Sequence, residues 1–280
     1  MPELPEVETI RTYLNAILPN HPVVSVKHLD ARMVKMGTIS AESIAHRLPG
    51  LVVQSMGRRG KYLVMRFFDK SALVIHLGMS GRLVVEPNTN PWRIHTHLVL
   101  EFREDMELRL VDPRRFGRIG YFMEFDTDRT LHLGPEPLGR AFTAQYLVDR
   151  LKGRKSPIKS LLLDQSLVAG LGNIYVDEAL FGAGIHPLAP GAAISLRSAN
   201  RLVRSIRRVL RASIANRGTS FSDYVDALGH PGQNQEYLAV YGRLGQPCLK
   251  CGSPIHSMVI HARTSHFCQY CQPMLEDREG

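Results

Sequence analysis

All four cysteines of this 280-residue chain lie near its C-terminus, as Cys248-x-x-Cys251 and Cys268-x-x-Cys271. Two such pairs supply the corners of a tetrahedron, and the segment between them is long enough to fold back as a hairpin. Sulfur at every corner leaves no position for water, so the spacing points to one structural Zn2+. Two disulfides are the alternative, which a reducing compartment disfavours. Within the connection, Ile255 to Ala262 and Arg263 to Phe267 read as strands, which places Arg263 near the tip of a metal-clamped ribbon. A ribbon of this kind suits many nucleic-acid binders and fixes no chemistry.

The remainder falls into two textures. A helix is predicted over Pro5 to Leu18, where Val7, Ile10, Leu14 and Leu18 recur at helical spacing. Short apolar segments follow: Val23 to Leu29, Tyr62 to Phe68, Ala72 to Leu77, Arg82 to Glu86, His97 to Phe102 and Glu107 to Val111, with one interrupting helix at Ser40 to Leu48. Many short strands between Gly, Pro and Asp signals predict a β-sandwich. Beyond the Gly/Pro-rich Leu133-Gly134-Pro135-Glu136-Pro137 the pattern turns helical. Thr143 caps a helix to about Leu151, Pro157 suits the first turn of another, and Ser195 starts a longer one with Leu202, Ile206, Val209 and Leu210 inside. The fold class is α+β, with expected domains at 1–133, 138–232 and 238–272. No internal repeat or low-complexity tract is present.

Charge indicates the class of partner. Thirty-five Lys and Arg against 26 Asp and Glu leave a net charge of +9, which favours a polyanion. Between Glu178 and Asp223 there is no acid, while Arg197, Arg201, Arg204, Arg207, Arg208, Arg211 and Arg217 crowd together. Either a solvated helix face or direct contact with nucleic acid accounts for them. With 44% hydrophobic and 22% charged residues, the composition is that of a globular protein and not of a disordered or collagen-like chain. Apolar runs such as Ser71 to Leu77 fall far short of a membrane span, and acids stand where a signal peptide would be basic. A cytoplasmic location is expected.

The amino terminus is a candidate reactive group. A small residue after Met1 permits removal of the methionine, leaving Pro2 as a free secondary amine. An α-amino group with an ordinary pKa near ~8 is partly unprotonated at neutral pH, whereas a lysine must first be desolvated. Attack on an aldehyde carbon gives an iminium ion that has no N–H to lose and persists as an electron sink. Glu3 and Glu6 place carboxylates beside it. By itself a Pro-Glu start is equally an unremarkable terminus.

Longer motifs decide between these readings. Met1-Pro2-Glu3-Leu4-Pro5-Glu6-Val7-Glu8, Gly60-Lys61-Tyr62-Leu63, His76-Leu77-Gly78-Met79-Ser80-Gly81, Asp112-Pro113-Arg114-Arg115-Phe116-Gly117, Leu163-Asp164-Gln165, Gly170-Leu171-Gly172-Asn173-Ile174-Tyr175 and Val240-Tyr241-Gly242-Arg243 follow in order along nearly the whole chain. This series resembles the bacterial formamidopyrimidine-DNA glycosylases. The resemblance implies an N-terminal β-sandwich, a helical domain with a helix-two-turn-helix motif, and a zinc β-hairpin. It also implies excision of oxidised purines from DNA, followed by β and δ elimination.

By match, Pro2 is the nucleophile at the sugar C1′, Glu3 the acid that helps to open the ring, and Lys61 and Arg263 the cations that assist the eliminations. Met79, Arg114 and Phe116 match the trio that fills the gap left by an extruded nucleotide, although Met79 and Phe116 taken alone read as core residues. His95, Arg114, Lys155, Lys159 and Asn173 match phosphate contacts, with Tyr241 and Arg243 behind them. The segment 217–235 resembles a lesion-recognition loop. Expected partners are damaged double-stranded DNA, with no membrane and no redox cofactor, and the expected state is a monomer. An endonuclease VIII-like enzyme for oxidised pyrimidines and a catalytically silent binder of abasic DNA are the alternatives. Leu4 and the Met79, Arg114, Phe116 set point away from the first; intact Pro2, Glu3, Lys61 and Arg263 weigh against the second.

Overall fold

An acidic pair starts the first helix, α1 (Leu4–Ile17). Glu3 is its N-cap, and the Glu3 and Glu6 side chains each accept from the other's backbone N–H, satisfying donors that a helix leaves unpaired at its start. Val7, Ile10, Leu14 and the following Leu18 are fully buried, as their spacing predicts. In this computed structural model residues 2–221 and 224–274 are described. Met1, whose removal the sequence suggests, and residues 222–223 of the 217–235 segment lie outside the described residues. Contacts divide the chain into two units, Met1–Leu131 with Ile214–Gln235, and His132–Ser213 with Glu236–Gly280.

The first unit holds two sheets. Its elements after α1 are β1 (Ser25–Leu29), β2 (Val34–Met36), α2 (Ala41–Arg47), β3 (Val53–Arg59), β4 (Tyr62–Phe67), β5 (Ala72–His76), β6 (Arg82–Pro87), β7 (Thr96–Glu101), β8 (Met106–Val111), β9 (Arg118–Phe122) and α3 (Thr127–Leu131). One sheet has the order β1-β7-β8-β6 and the other β2-β9-β5-β4-β3. All pairings are antiparallel except β2 with β9. Leu63, Met65 and Phe67 of one sheet share a core with Leu98, Leu100, Leu108 and Leu110 of the other and with the apolar face of α1. Val64, Ala72 and Val74 point the opposite way and are covered by Phe125, which explains why β4 and β5 read as nearly unbroken apolar runs.

The second unit is helical with one hairpin: α4 (Ala144–Leu151), α5 (Ile158–Leu163), α6 (Asn173–Ala183), α7 (Leu196–Ala215, grouped here as far as Ser213), β10 (His256–Ile260) and β11 (Arg263–Phe267). Thr143 Oγ1 caps α4 by accepting from Tyr146 N at 3.0 Å, and Ser195 Oγ accepts from Ser198 N at 3.2 Å before α7. The buried stripe of α7 is Ala199, Leu202, Val203, Ile206 and Leu210; Val203 takes the place expected of Val209, which is half-buried. Arg207 folds back onto the carbonyls of Pro137, Gly139 and Phe142, so one arginine of the acid-free stretch fastens the Gly/Pro-rich linker.

Candidate active site and nucleic-acid interface

In the first unit Pro2 is buried, and the carboxylates beside it are almost closed off from solvent, Glu3 at 2% and Glu6 at 1% exposure. Glu6 Oε2 accepts from Glu3 N at 2.8 Å, while Oε1 accepts from Thr219 N at 2.8 Å. Gly218 takes φ +82°, and a Cβ on it would lie 2.9 Å from Glu6 Oε1. One carboxylate therefore ties the residues next to Pro2 to the start of the 217–235 segment. Beyond lying near Pro2, Glu6 closes the capping box of α1, a role signalled by the Glu-x-x-Glu spacing ahead of an apolar helical stripe.

Lys61 occupies a two-residue turn between β3 and β4, where Gly60 takes the positive φ, +57°, that so tight a hairpin demands. It is 7% exposed. Burial, together with the charges of Lys61 and Arg118, pushes the nearby His76 down to about 4. The ring is therefore neutral at physiological pH; its Nδ1 accepts from Gly78 N at 3.1 Å and it packs 4.8 Å from the Tyr62 ring.

Asp112 organises the neighbouring loops. Its buried carboxylate accepts from Ser80 Oγ at 2.6 Å, Gly117 N at 2.7 Å and Arg114 N at 3.3 Å. Gly78 lies so close to the Phe116 backbone that a Cβ would sit 2.5 Å from its carbonyl carbon. These contacts hold the loops after β5 and β8 together. Met79 (41% exposed) and Phe116 (47%) stand out from them, against the alternative that both are core residues. Arg114 lies over the Phe116 ring, 4.6 Å from its centroid. His95, exposed at φ +70°, accepts from Asp112 N through its carbonyl at 2.9 Å. Fully buried Arg109 pairs with Glu86 and Glu107 and donates to the carbonyls of Pro87, Asn90 and Pro91, shaping the loop that ends at His95.

In the second unit Lys155 and Arg263 are exposed, and Asn173 forms the first turn of α6. Lys159 departs from expectation. It is fully buried, with Nζ 2.7 Å from Asp177 Oδ1 and donating to Thr264 O at 2.9 Å. A phosphate contact requires an ammonium that solvent and ligand can reach, and this one is enclosed. Asn173 Nδ2 donates to the same Thr264 carbonyl at 2.9 Å, and Asp177 accepts from Ser265 Oγ and His266 N. These bonds seat β11, and Arg263 at its start, on α5 and α6. The Arg243 guanidinium is occupied by Ala239 O, Gln246 Oε1 and Pro247 O within its own turn.

The four cysteine sulfurs lie within 4.8 Å of one another. Cys248 and Cys271 are 3.8 Å apart at sulfur, and Cys251 and Cys268 3.5 Å. These separations are too long for disulfides and match the edge of a tetrahedron with metal–sulfur bonds of ~2.3 Å. The residues fit one structural zinc.

Three family models match the chain: the formamidopyrimidine-DNA glycosylase N-terminal domain over residues 1–119, its H2TH domain over 133–224, and the zinc finger found in FPG and IleRS over 245–273. The chain belongs to the formamidopyrimidine-DNA glycosylase family. Its formamidopyrimidine-DNA glycosylase relatives include a Moorella thermoacetica protein, 46% identical over 91% of this chain and 93% of its own length, and a Chloroflexus aurantiacus protein, 41% identical over the whole of both. Among solved structures, a Lactococcus lactis FPG mutant in complex with Fapy-dG containing DNA superposes with a TM-score of 0.89 at 36% identity, covering 97% of this chain and 100% of that one. A MutM complex with carbocyclic 8-oxo-G containing DNA gives 0.88 at 36% identity, with the same two coverages. Family membership accords with the α+β fold and the zinc hairpin.

Proposed function

We propose that the chain is a bifunctional base-excision-repair enzyme that removes oxidised purines, 8-oxoguanine and formamidopyrimidines, from double-stranded DNA and then nicks the strand. The observation that carries this reading is the pair of buried carboxylates, Glu3 and Glu6, directly after Pro2. With Met1 removed, Pro2 is a secondary amine that attacks C1′ as the base departs with the bonding electrons and takes up the proton that the nitrogen sheds. Glu3, shielded from water, protonates the ring oxygen, and the open sugar remains attached as an iminium ion. The iminium acidifies the C2′ hydrogens, so loss of one expels the 3′ phosphate; a second elimination expels the 5′ phosphate. Lys61 and Arg263 offset the negative charge that develops on these leaving groups.

Met79, Arg114 and Phe116 are suited to occupy the space of the extruded nucleotide: two apolar side chains wedge into the stack, and the guanidinium donates to the orphaned cytosine. His95, Lys155 and Asn173 act as backbone contacts, and Tyr241, whose ring packs 5.1 Å from that of His266, is a further candidate in the second unit. Complexes of family members with Fapy-dG and 8-oxo-G DNA support the oxidised-purine assignment. Among the described residues no helix is long and apolar enough to cross a membrane, and we place the enzyme in the bacterial cytoplasm or nucleoid, as a monomer.

The test is incubation with duplexes carrying 8-oxoguanine or oxidised thymine in the presence of borohydride. Trapping on the purine lesion, with the DNA mapped to Pro2, is expected. A protein extended before Pro2, whose nitrogen is then an amide, must bind damaged DNA without trapping or cleaving it. Native cleavage by the extended protein would overturn the mechanism, and preferential trapping on oxidised thymine would favour the endonuclease VIII-like reading.

A further inference from the structure

The acid-free arginine stretch is only partly accounted for by Arg207 and the linker. On the face of α7 that meets the end of α6, Arg201, Arg204, Ser205 and Arg208 surround a pocket of about 290 Å³ whose floor includes Gly182. Their spacing of three, four and seven residues sets all four on one stripe of the helix.

Several observations converge on this pocket. Ser205 is 4% exposed, and its Oγ is buried without a hydrogen-bond partner among the described residues. Buried hydroxyls are rarely left so, and one facing a pocket marks a place for an acceptor. Arg204 and Arg208 are exposed and have no hydrogen bond or ion pair to a described residue, whereas Arg201 is steadied by Ala183 O at 3.1 Å and Ser198 Oγ at 3.0 Å. Gly182 needs no positive φ, and glycine within a helix costs ~1 kcal/mol relative to alanine. Its reason is space: a Cβ there would lie 2.2 Å from Ser205 Oγ and 2.7 Å from Arg208 Nη2. The acid one turn back on α6, Glu178, is committed elsewhere, accepting from the backbone N–H groups of Ala239, Val240 and Tyr241 at 2.9 Å each.

We propose that Arg201, Arg204, Ser205 and Arg208 form a phosphate-binding pocket distinct from the backbone contacts assigned to His95, Arg114, Lys155 and Asn173. A carboxylate would be satisfied by a single guanidinium fork. Three guanidinia and a hydroxyl gathered around one pocket offer more donors than a carboxylate can use and match the several oxygens of a tetrahedral phosphate. Its source is either the backbone of a DNA segment or a free phosphate, and the chemistry is shared.

Phenylglyoxal labelling of the zinc-loaded full-length protein, with each arginine followed by mass spectrometry, tests the site. Inorganic phosphate about tenfold above its dissociation constant should slow labelling of Arg204 and Arg208 about tenfold relative to chloride of equal ionic strength, and leave Arg197 unchanged. Ser205→Ala, folded by circular dichroism, should bind phosphate about tenfold more weakly, which at the same concentration cuts the protection to about twofold. A parallel arm uses an undamaged duplex in place of phosphate. Protection of the same two arginines by the duplex identifies DNA as the phosphate donor, and protection by inorganic phosphate alone identifies a small phosphate. If neither protects them, or if Ser205→Ala is protected as fully as the native chain, the pocket is refuted.

Discussion

Ser80 Oγ donates a 2.6 Å hydrogen bond to the buried Asp112 carboxylate, fastening the loop that bears Met79 to the loop that bears Arg114 and Phe116. The two loops come from different strands, so their exposed side chains share one site only while this acceptor is in place. Asp112→Asn leaves the Gly117 N–H facing a donor and should cost about 1.5–3 kcal/mol in denaturant titration. It should also shrink the preference for 8-oxoguanine opposite cytosine over adenine, scored by excision rates on the two duplexes. Full retention of that preference would show that the loops keep their arrangement without Asp112.

Opposite-base choice is assigned to Arg114, because guanidinium donors meet the acceptors of cytosine, while the pairing edge of adenine presents an amino donor. Excision opposite cytosine should be efficient and opposite adenine poor. Arg114→Ala should narrow the difference and lower affinity; an unchanged ratio would place the reading elsewhere.

Lys155 and Lys159, four residues apart, should behave oppositely. Lys155→Ala should weaken damaged and undamaged duplexes alike and reduce the salt slope of log K by about 0.9, the contribution of one phosphate contact. Lys159→Met should leave the slope unchanged, yet destabilise the fold by about 3–5 kcal/mol by stranding the Asp177 carboxylate. Adding Asp177→Leu should recover part of that loss. A reduced slope in Lys159→Met would restore it to the phosphate-binding set.

His76 should impose a pH dependence on stability. Its folded pKa, about 4, lies below the unfolded value near ~6.5, so between these values the unfolded chain binds a proton that the native one refuses. This contribution is fully present above about pH 6.5 and is lost as pH falls toward 4, amounting to about 3 kcal/mol across the window. His76→Gln, which keeps an acceptor for Gly78 N, should flatten the stability profile there; an unaltered profile would refute the assignment.

Zinc removal should act on the ribbon. Cys248→Ser should abolish stoichiometric metal and impair DNA binding, with the sheets of the first unit still folded. Zinc affinity should weaken as the pH is lowered, because the thiolates must form for the metal to bind. Full metal content in the variant would refute the four-sulfur site.

Strands β4, β5, β6, β7 and β8 were legible because their burial repeats on a scale that the local sequence displays. Strands β2, β3 and β9 were not. Gln54, Ser55, Gly57, Arg58 and Arg59 make β3 too polar to stand out, and it is a strand because β4 supplies a full antiparallel partner. Gly120 of β9 is there for close approach to Met36, a neighbour distant in sequence.

The sequence by itself determined the metal-clamped hairpin, the apolar stripe of α1 and the family. Each is carried by residue type and short spacing, which local chemistry fixes. Tertiary structure alone decided that Lys159 is an enclosed ion-pair partner while Lys155 is free to meet solvent, that Asp112 is the acceptor joining two loops, and that Ser205 Oγ has no hydrogen-bond partner among the described residues. Burial and hydrogen-bond satisfaction depend on groups far apart in the chain, and one-letter spacing carries no record of them.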